Sequence, residues 1–168
     1  MHPKAQHYIQ HLQLEAHPEG GYFRRTYQSS LTLPSTALPK HFKESRLAAS
    51  AIYFLLTTES FSAFHQLQAD ELWHFYAGST VTLYLIHPDS TLQTIEVGDP
   101  LTNPNASFQA LIPAQTWFAA AVTTADSYAL VGCTLAPAFD FEDFELAEKQ
   151  TLLQQYPQHS TWIERYVR

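Results

Sequence analysis

From Leu47 to Leu135 the chain alternates short apolar-rich runs with turn-forming residues. The runs are Ala49 to Leu56, Ser60 to Gln66, Glu71 to Tyr76, Val81 to His87, Thr91 to Val97, Phe108 to Ile112, Trp117 to Val122 and Ser127 to Leu135. Gly78, Pro88-Asp89-Ser90, Gly98-Asp99-Pro100 and Pro113-Ala114-Gln115 punctuate them. Short strands at regular spacing with turn signals between them predict an all-β sandwich or barrel. Helical spacing occurs only at the ends. Residues 3 to 13 carry Ala5, Tyr8, Ile9 and Leu12 on one face behind Pro3, and the helix should stop before His17-Pro18. After Asp140 a helix capped by Asp140 or Asp143 is expected to run to about Tyr156, with Thr161 and Glu164 spaced as the capping box of a last short helix. Residues 28 to 46 read as a long loop, either a solvated excursion or a lid.

Tyr22-Phe23-Arg24-Arg25-Thr26-Tyr27 is a further strand, entered through the turn Pro18-Glu19-Gly20-Gly21. Alternation places Tyr22, Arg24 and Thr26 on one face and Phe23, Arg25 and Tyr27 on the other. Two solvated arginines on an edge strand is one reading; an arginine aimed into a pocket to hold an anion is the other.

Length and charge narrow the picture. At 168 residues and 45% apolar content the chain is expected to be one domain, 1–168, with a sizeable core. A net charge of −7 without a basic run argues against a nucleic-acid partner and against a membrane surface. Residues 1 to 30 show no signal pattern and no apolar run is of spanning length, so a cytoplasmic location is expected. Cys133 is the single cysteine, so no internal disulfide can form, and in a strand it reads as a small core hydrophobe.

The chemistry concentrates in residues 64–78, Phe-His-Gln-Leu-Gln-Ala-Asp-Glu-Leu-Trp-His-Phe-Tyr-Ala-Gly. Strand parity puts His65 and Leu67 on one face, and Glu71, Trp73 and Phe75 on one face of the next strand. His74 points the other way unless a bulge intervenes. If His65 and Glu71 both face inward, one imidazole and one carboxyl share an aromatic-walled pocket. A carboxyl buried there without a cation would have its pKa raised by desolvation, fitting it to act as an acid or to share a proton with His65. A core pair that only fixes strand packing is the structural alternative. Burying two ionisable groups in an apolar core without a role is costly, which favours function.

His65, Glu71 and Gly78 stand at the spacing of the first cupin motif, His-x-His, a short gap, Glu, then Gly. Leu67 occupies the second histidine position. In Pro113-Ala114-Gln115-Thr116-Trp117-Phe118, which is similar to the second motif, Phe118 stands where the last histidine would be. With two ligands of four replaced by apolar groups, no tightly bound metal and no cofactor are expected.

The chain as a whole resembles the cupin-5 family, RmlC-like cupins of mostly unassigned function. The resemblance rests on His17-Pro18-Glu19-Gly20-Gly21-Tyr22-Phe23-Arg24, on residues 50–56, on 64–78, on 113–118 and on 130–147, with Gln115 and Ala138 where the family tends to have Gly. It implies a small jelly-roll β-barrel, commonly a homodimer, with a pocket at one end. It also implies Tyr22, Arg24, Tyr53, His65, Glu71, Trp73, His74 and Trp117 as residues lining or supporting that pocket. It implies no reaction, because one fold serves many. Three functions compete. One is a metal-independent isomerase or epimerase of a sugar or sugar nucleotide, with His65 as base, Glu71 as its partner or the acid, Arg24 as an anion clamp and the aromatics for stacking. The opposing acid is not evident, Tyr53 being one candidate. Another is a non-catalytic binding or sensor protein for a small polar or aromatic ligand. The third is a weak divalent-metal cupin using His65, Glu71 and His74. Long apolar strand edges further predict a homodimer.

Overall fold

A computed structural model describes residues 1–168. Thirteen strands follow in chain order: β1 (Glu15–Ala16), β2 (Tyr22–Gln28), β3 (Thr32–Leu33), β4 (Arg46–Leu47), β5 (Ser50–Thr57), β6 (Ser62–Leu67), β7 (Asp70–Gly78), β8 (Val81–Ile86), β9 (Leu92–Val97), β10 (Gln109–Ile112), β11 (Trp117–Val122), β12 (Tyr128–Ala136) and β13 (Phe144–Leu146). Helix α1 (Pro3–His11) precedes them, and α2 (Lys149–Gln155) and α3 (Ser160–Tyr166) follow.

The strands form a six-stranded sheet, β1-β2-β5-β12-β7-β10, and a five-stranded sheet, β13-β6-β11-β8-β9, with β3-β4 as a separate ribbon. Every ladder is antiparallel. Neither sheet closes on itself, so the molecule is a two-sheet sandwich. Alternation along strands specifies which side chains face inward, but not whether the outermost strands meet.

Three apolar clusters explain why several strands are apolar on both faces. Phe54, Leu56, Trp73, Leu83, Leu85, Phe118 and Val131 fill the space between the sheets. Residues of opposite parity, Phe64, Tyr84, Ile86, Ala119 and Ala121, lie on the outside of the five-stranded sheet, covered by Leu152, Tyr156, Ile163 and Tyr166 of the C-terminal helices. Leu55, Tyr128 and Leu130 lie on the outside of the other sheet, where Ala5 of α1 and Leu14 cover them. No helix is long and apolar enough to cross a membrane.

The region after Asp140 departs from the expected single helix. Asp140 does cap, accepting from Glu142 N at 2.9 Å, but it caps only a 3₁₀ turn over Phe141–Asp143. Phe144–Leu146 then pairs as an edge strand with β6, opposite Leu67, Gln66 and His65. Helix α2 begins only after Glu148, whose carboxylate accepts from Gln150 N and Thr151 N. The last helix starts at Ser160 with no side-chain cap, so Thr161 lies inside it and the expected capping box does not form. The 28–46 loop contains the β3-β4 ribbon and a 3₁₀ turn over Ser35–Ala37.

Candidate functional site

Between the sheets lies a cavity of about 60 Å³, and ten of its sixteen lining residues are apolar. The floor comes from even-numbered positions of β5 (Ser50, Ile52, Phe54) and odd-numbered positions of β6 (His65, Leu67), β7 (Glu71, Trp73) and β12 (Cys133, Leu135). Phe23 and Arg25 of β2 enter from one side, and Phe139, Phe141 and Phe144 from the segment after β12 form the other. His17 and Glu19 come from the turn between β1 and β2.

That turn is shaped by two glycines. Gly20 has φ +116° and Gly21 φ +72°. A Cβ on Gly21 would lie 2.7 Å from Leu56 Cδ2 and 2.8 Å from Leu55 O, and one on Gly20 2.1 Å from Phe61 O. Only glycine combines that backbone with that approach to the sheet. The turn is pinned by Gly21 N donating to Ser60 Oγ (2.9 Å) and Ala63 N donating to Glu19 O (2.8 Å). These contacts drive Glu19 inward until it is only 7% exposed.

Glu19 is the centre of a hydrogen-bonded cluster. Ser62 Oγ donates to its Oε1 at 2.8 Å. Its Oε2 lies 3.3 Å from His65 Nε2 and 3.4 Å from His17 Nδ1. His65 Nδ1 sits 2.8 Å from Ala63 O, and since a carbonyl only accepts, Nδ1 carries a hydrogen. The other nitrogen, Nε2, faces a carboxylate oxygen, so one proton must lie between Nε2 and Oε2 to prevent two lone pairs from opposing each other. Burial pushes the Glu19 carboxyl up, but His65 and the contacts from His17 and Ser62 outweigh it and hold the group below its ordinary value. Burial drives the His65 imidazole toward its neutral form, and Glu19 draws it back toward the charged one.

Glu71 has the opposite character. It is 6% exposed, its Oε2 accepts from Trp73 Nε1 at 3.0 Å, and no cation neighbours it. Burial first, and then the nearby Glu19 charge, push its carboxyl up to about 8, with the Trp73 and Cys133 hydrogen bonds only partly opposing. The cavity therefore holds two carboxyl groups whose environments force them apart, one ionised and one protonated at pH 7. Burial beside Glu71 likewise keeps the Cys133 thiol protonated.

Of the residues expected at a pocket, His65, Glu71 and Trp73 are brought together. Tyr22, Arg24, Tyr53, His74 and Trp117 are not, and each is displaced for the same reason: it sits one position from an inward residue. Tyr22 and Tyr53 pack with the α1 cluster, outside the sheet. Arg24 donates to Leu12 O and Gln13 Oε1, while Arg25 lines the cavity. His74 accepts from Gln109 Nε2 and donates to Thr134 Oγ1 on the outer face. The β7 bulge that could have turned it inward comes later, between the pairings of Phe75 and Ala77. Trp117 packs outward against the C-terminal helices, and its neighbour Phe118 is the inward residue, 4.0 Å from His65 between ring centroids. The trio His65, Glu71 and His74 is thus split across a sheet, and no three His, Cys, Asp or Glu side chains are placed to hold a metal ion. The donors do not fit one: His65 has one nitrogen on Ala63 O and the other on Glu19, and Leu67 and Phe118 present only hydrocarbon. Glu19 and His17 escaped the sequence reading because Pro18-Glu19-Gly20-Gly21 registers as a turn by composition. The available signal was a carboxylate directly preceding two glycines, which marks a backbone in close approach to something.

A family model, Cupin_5, described as Cupin superfamily (DUF985), matches residues 6–147. Among solved structures, the protein SO0799 from Shewanella oneidensis is 40% identical with a TM-score of 0.86, over 98% of this chain and 97% of that one. A hypothetical protein from Leishmania major is 31% identical with a TM-score of 0.87, over 97% and 98% of the two chains. The uncharacterized protein YML079W of Saccharomyces cerevisiae is 27% identical over 147 residues, 82% of this chain and 72% of the yeast protein.

Proposed function

The chain belongs to the Cupin_5 family of the cupin superfamily, and on that premise we propose that its cavity binds a small carbonyl metabolite and moves a proton on it without a metal, as an isomerase or epimerase. The observation that carries this reading is the opposed pair of carboxyl groups in one apolar cavity: Glu19, ionised and sharing a proton with His65, and Glu71, protonated.

Proton abstraction next to a carbonyl needs a base at the C–H and a donor at the oxygen on which charge develops. Both His65 nitrogens are engaged, so the Glu19 carboxylate, held charged by His65, supplies the base, and Ser62 and Ala63 fix the outer atoms of the pair so that little reorganises when the proton moves. Glu71 supplies the donor, because a carboxyl whose pKa is about 8 still carries its proton at pH 7. This assigns the acid to Glu71 and needs nothing from Tyr53, which faces the other side of the sheet. The apolar walls suit a ligand with a hydrocarbon or aromatic body better than a polyhydroxylated sugar, whose hydroxyls would lose water without gaining partners. Deuterium wash-in tests the reading. Pyruvate, phenylpyruvate and dihydroxyacetone incubated with the protein in D₂O at neutral pH are expected to exchange at the carbon beside the carbonyl. His65→Gln should slow that exchange by about 10²-fold or more, the usual contribution of a positioned base. Binding of these compounds with no exchange above buffer would leave a binding protein and remove the catalytic reading.

A further inference from the structure

The cation at the cavity mouth is not held in an ion pair, even with Glu15 of β1 lining the same outer hollow. Arg25 is the only lysine or arginine among the residues lining the cavity. It forms no ion pair: its one hydrogen bond runs from Nη1 to the neutral Gln28 Oε1 at 3.0 Å. A guanidinium has five N–H donors and keeps its charge at any accessible pH, so four remain unspent. Deeper in, the charges cancel. The Glu19–His65 pair shares one proton, and Glu71 and Cys133 are held protonated.

The geometry around Arg25 also sets it apart from its neighbour. Arg24, on the outer face, is satisfied by Leu12 O and Gln13 Oε1. Arg25 pairs with Ile52 in β5, and the ladder then slips so that Tyr27, not Thr26, faces Ala51. Such a bulge re-aims the side chains beside it. Arg25 stands at the exposed rim, next to the rings of Phe23, Phe139 and Phe141, while Glu19, His65 and Glu71 lie buried beyond them.

We propose that Arg25 is the anchor for the anionic end of the ligand, and that the cavity selects small monocarboxylates with an apolar or aromatic body. The carboxylate meets the guanidinium at the rim, the body passes the phenylalanines, and the opposite end reaches Glu19, His65 and Glu71. One anion balances the one unpaired cation; a dianion would leave a charge beside Glu19, and a cationic ligand would face Arg25 itself. This deepens the reading of the cavity as a small-carbonyl site and rests on it.

Calorimetric titration of the full chain with benzoate, benzamide and benzylamine tests the anchor. These probes share a ring and differ in charge. Wild type is expected to prefer benzoate to benzamide by about tenfold or more, the worth of a charge-assisted hydrogen bond, and not to bind benzylamine. Arg25→Gln should abolish the preference, Arg25→Lys should restore part of it, and Arg24→Gln, on the other face, should leave it unchanged. Equal affinity for benzoate and benzamide in wild type, absence of binding by both, or loss of the preference in Arg24→Gln would overturn the proposal. The two readings fail separately. Benzoate held through Arg25 with no deuterium wash-in on any carbonyl compound keeps the anchor and removes catalysis. Wash-in on dihydroxyacetone without a preference for benzoate keeps catalysis and removes the anchor.

Discussion

Glu71 couples the site to pH in a direction opposite to most carboxylates. Its folded pKa of about 8 lies above the ordinary 4.5, so the folded state holds a proton that the unfolded state releases. The resulting stability is fully present below the unfolded pKa and is lost as pH rises through the folded one, at about 1.4 kcal/mol per pH unit within that window. Wild type should therefore melt at progressively lower temperature from pH 5 to pH 8.5, and Glu71→Gln, which cannot ionise but still accepts from Trp73, should flatten the trend. An unchanged slope in the variant would place Glu71 in solvent or beside a cation. His65 separates site from scaffold. His65 is the buried partner of Glu19, so His65→Ala should destabilise by about 1–3 kcal/mol whatever its role. Ligand response separates the two roles: it is lost in the variant if His65 belongs to the site and stays intact if His65 is a core hydrogen bond. Parity correctly grouped His65 with Leu67 and Glu71 with Trp73. It also grouped Phe23 with Arg25, but which group faces inward depends on which sheet face α1 covers. Tyr22, Arg24 and Tyr53 lie under or beside that helix, and no local pattern in β2 or β5 says so, since each face of β2 carries an aromatic ring and an arginine and both faces of β5 are largely apolar.

At the scale of elements, two devices hold the cavity's walls. The Gly20-Gly21 turn presses Glu19 inward, so Gly21→Ala, at φ +72° and 2.7 Å from Leu56 Cδ2, should cost on the order of 1–3 kcal/mol and lower ligand affinity as well, because Glu19 moves with the turn. Substitution without effect on either would mean that the turn does not position Glu19. On the other wall, Arg46 forks onto Asp143, Nε to Oδ2 at 2.7 Å and Nη2 to Oδ1 at 2.9 Å, with Glu142 at 3.2 Å. This buried pair ties the end of the 28–46 loop to the segment bearing Phe139, Phe141 and Phe144. Arg46→Ala leaves Asp143 buried without its partner and should destabilise by about 3–5 kcal/mol, measured by urea unfolding. The eight central strands were legible from turn spacing and differ from expectation by a residue or two at their ends. Strand β13 was not, because Phe144-Glu145-Leu146 lies in an acidic run with helical spacing and becomes a strand only by adding to the edge of β6. Its consequence is functional: it brings Phe144 within 5.4 Å of the His65 ring.

Across the whole molecule, the two open sheets leave edges. β10 is an outer strand of the larger sheet and exposes Leu111, with Phe108 beside it exposed as well. Edges of this kind are covered by pairing in many β proteins. A homodimer remains our expectation, so sedimentation equilibrium at micromolar concentration should return twice the chain mass of 19.1 kDa, and the single mass would contradict it. Closure of the sheets was beyond the sequence, since a barrel and a sandwich share the same inward alternation. The empty second-histidine and last-histidine positions were readable, and they fall where expected: Leu67 on the cavity wall and Phe118 tilted against the His65 ring. What composition concealed was the carboxylate that replaces them as the partner of His65, Glu19, delivered from a turn some forty-six positions earlier in the chain. The account rests on Glu19–His65 as base and protonated Glu71 as acid, and the pH profile of deuterium wash-in tests that division most directly. Exchange catalysed by wild type should hold near pH 7 and fall as pH rises past about 8, where Glu71 loses its proton. A wild-type rate indistinguishable from His65→Gln at every pH would contradict it.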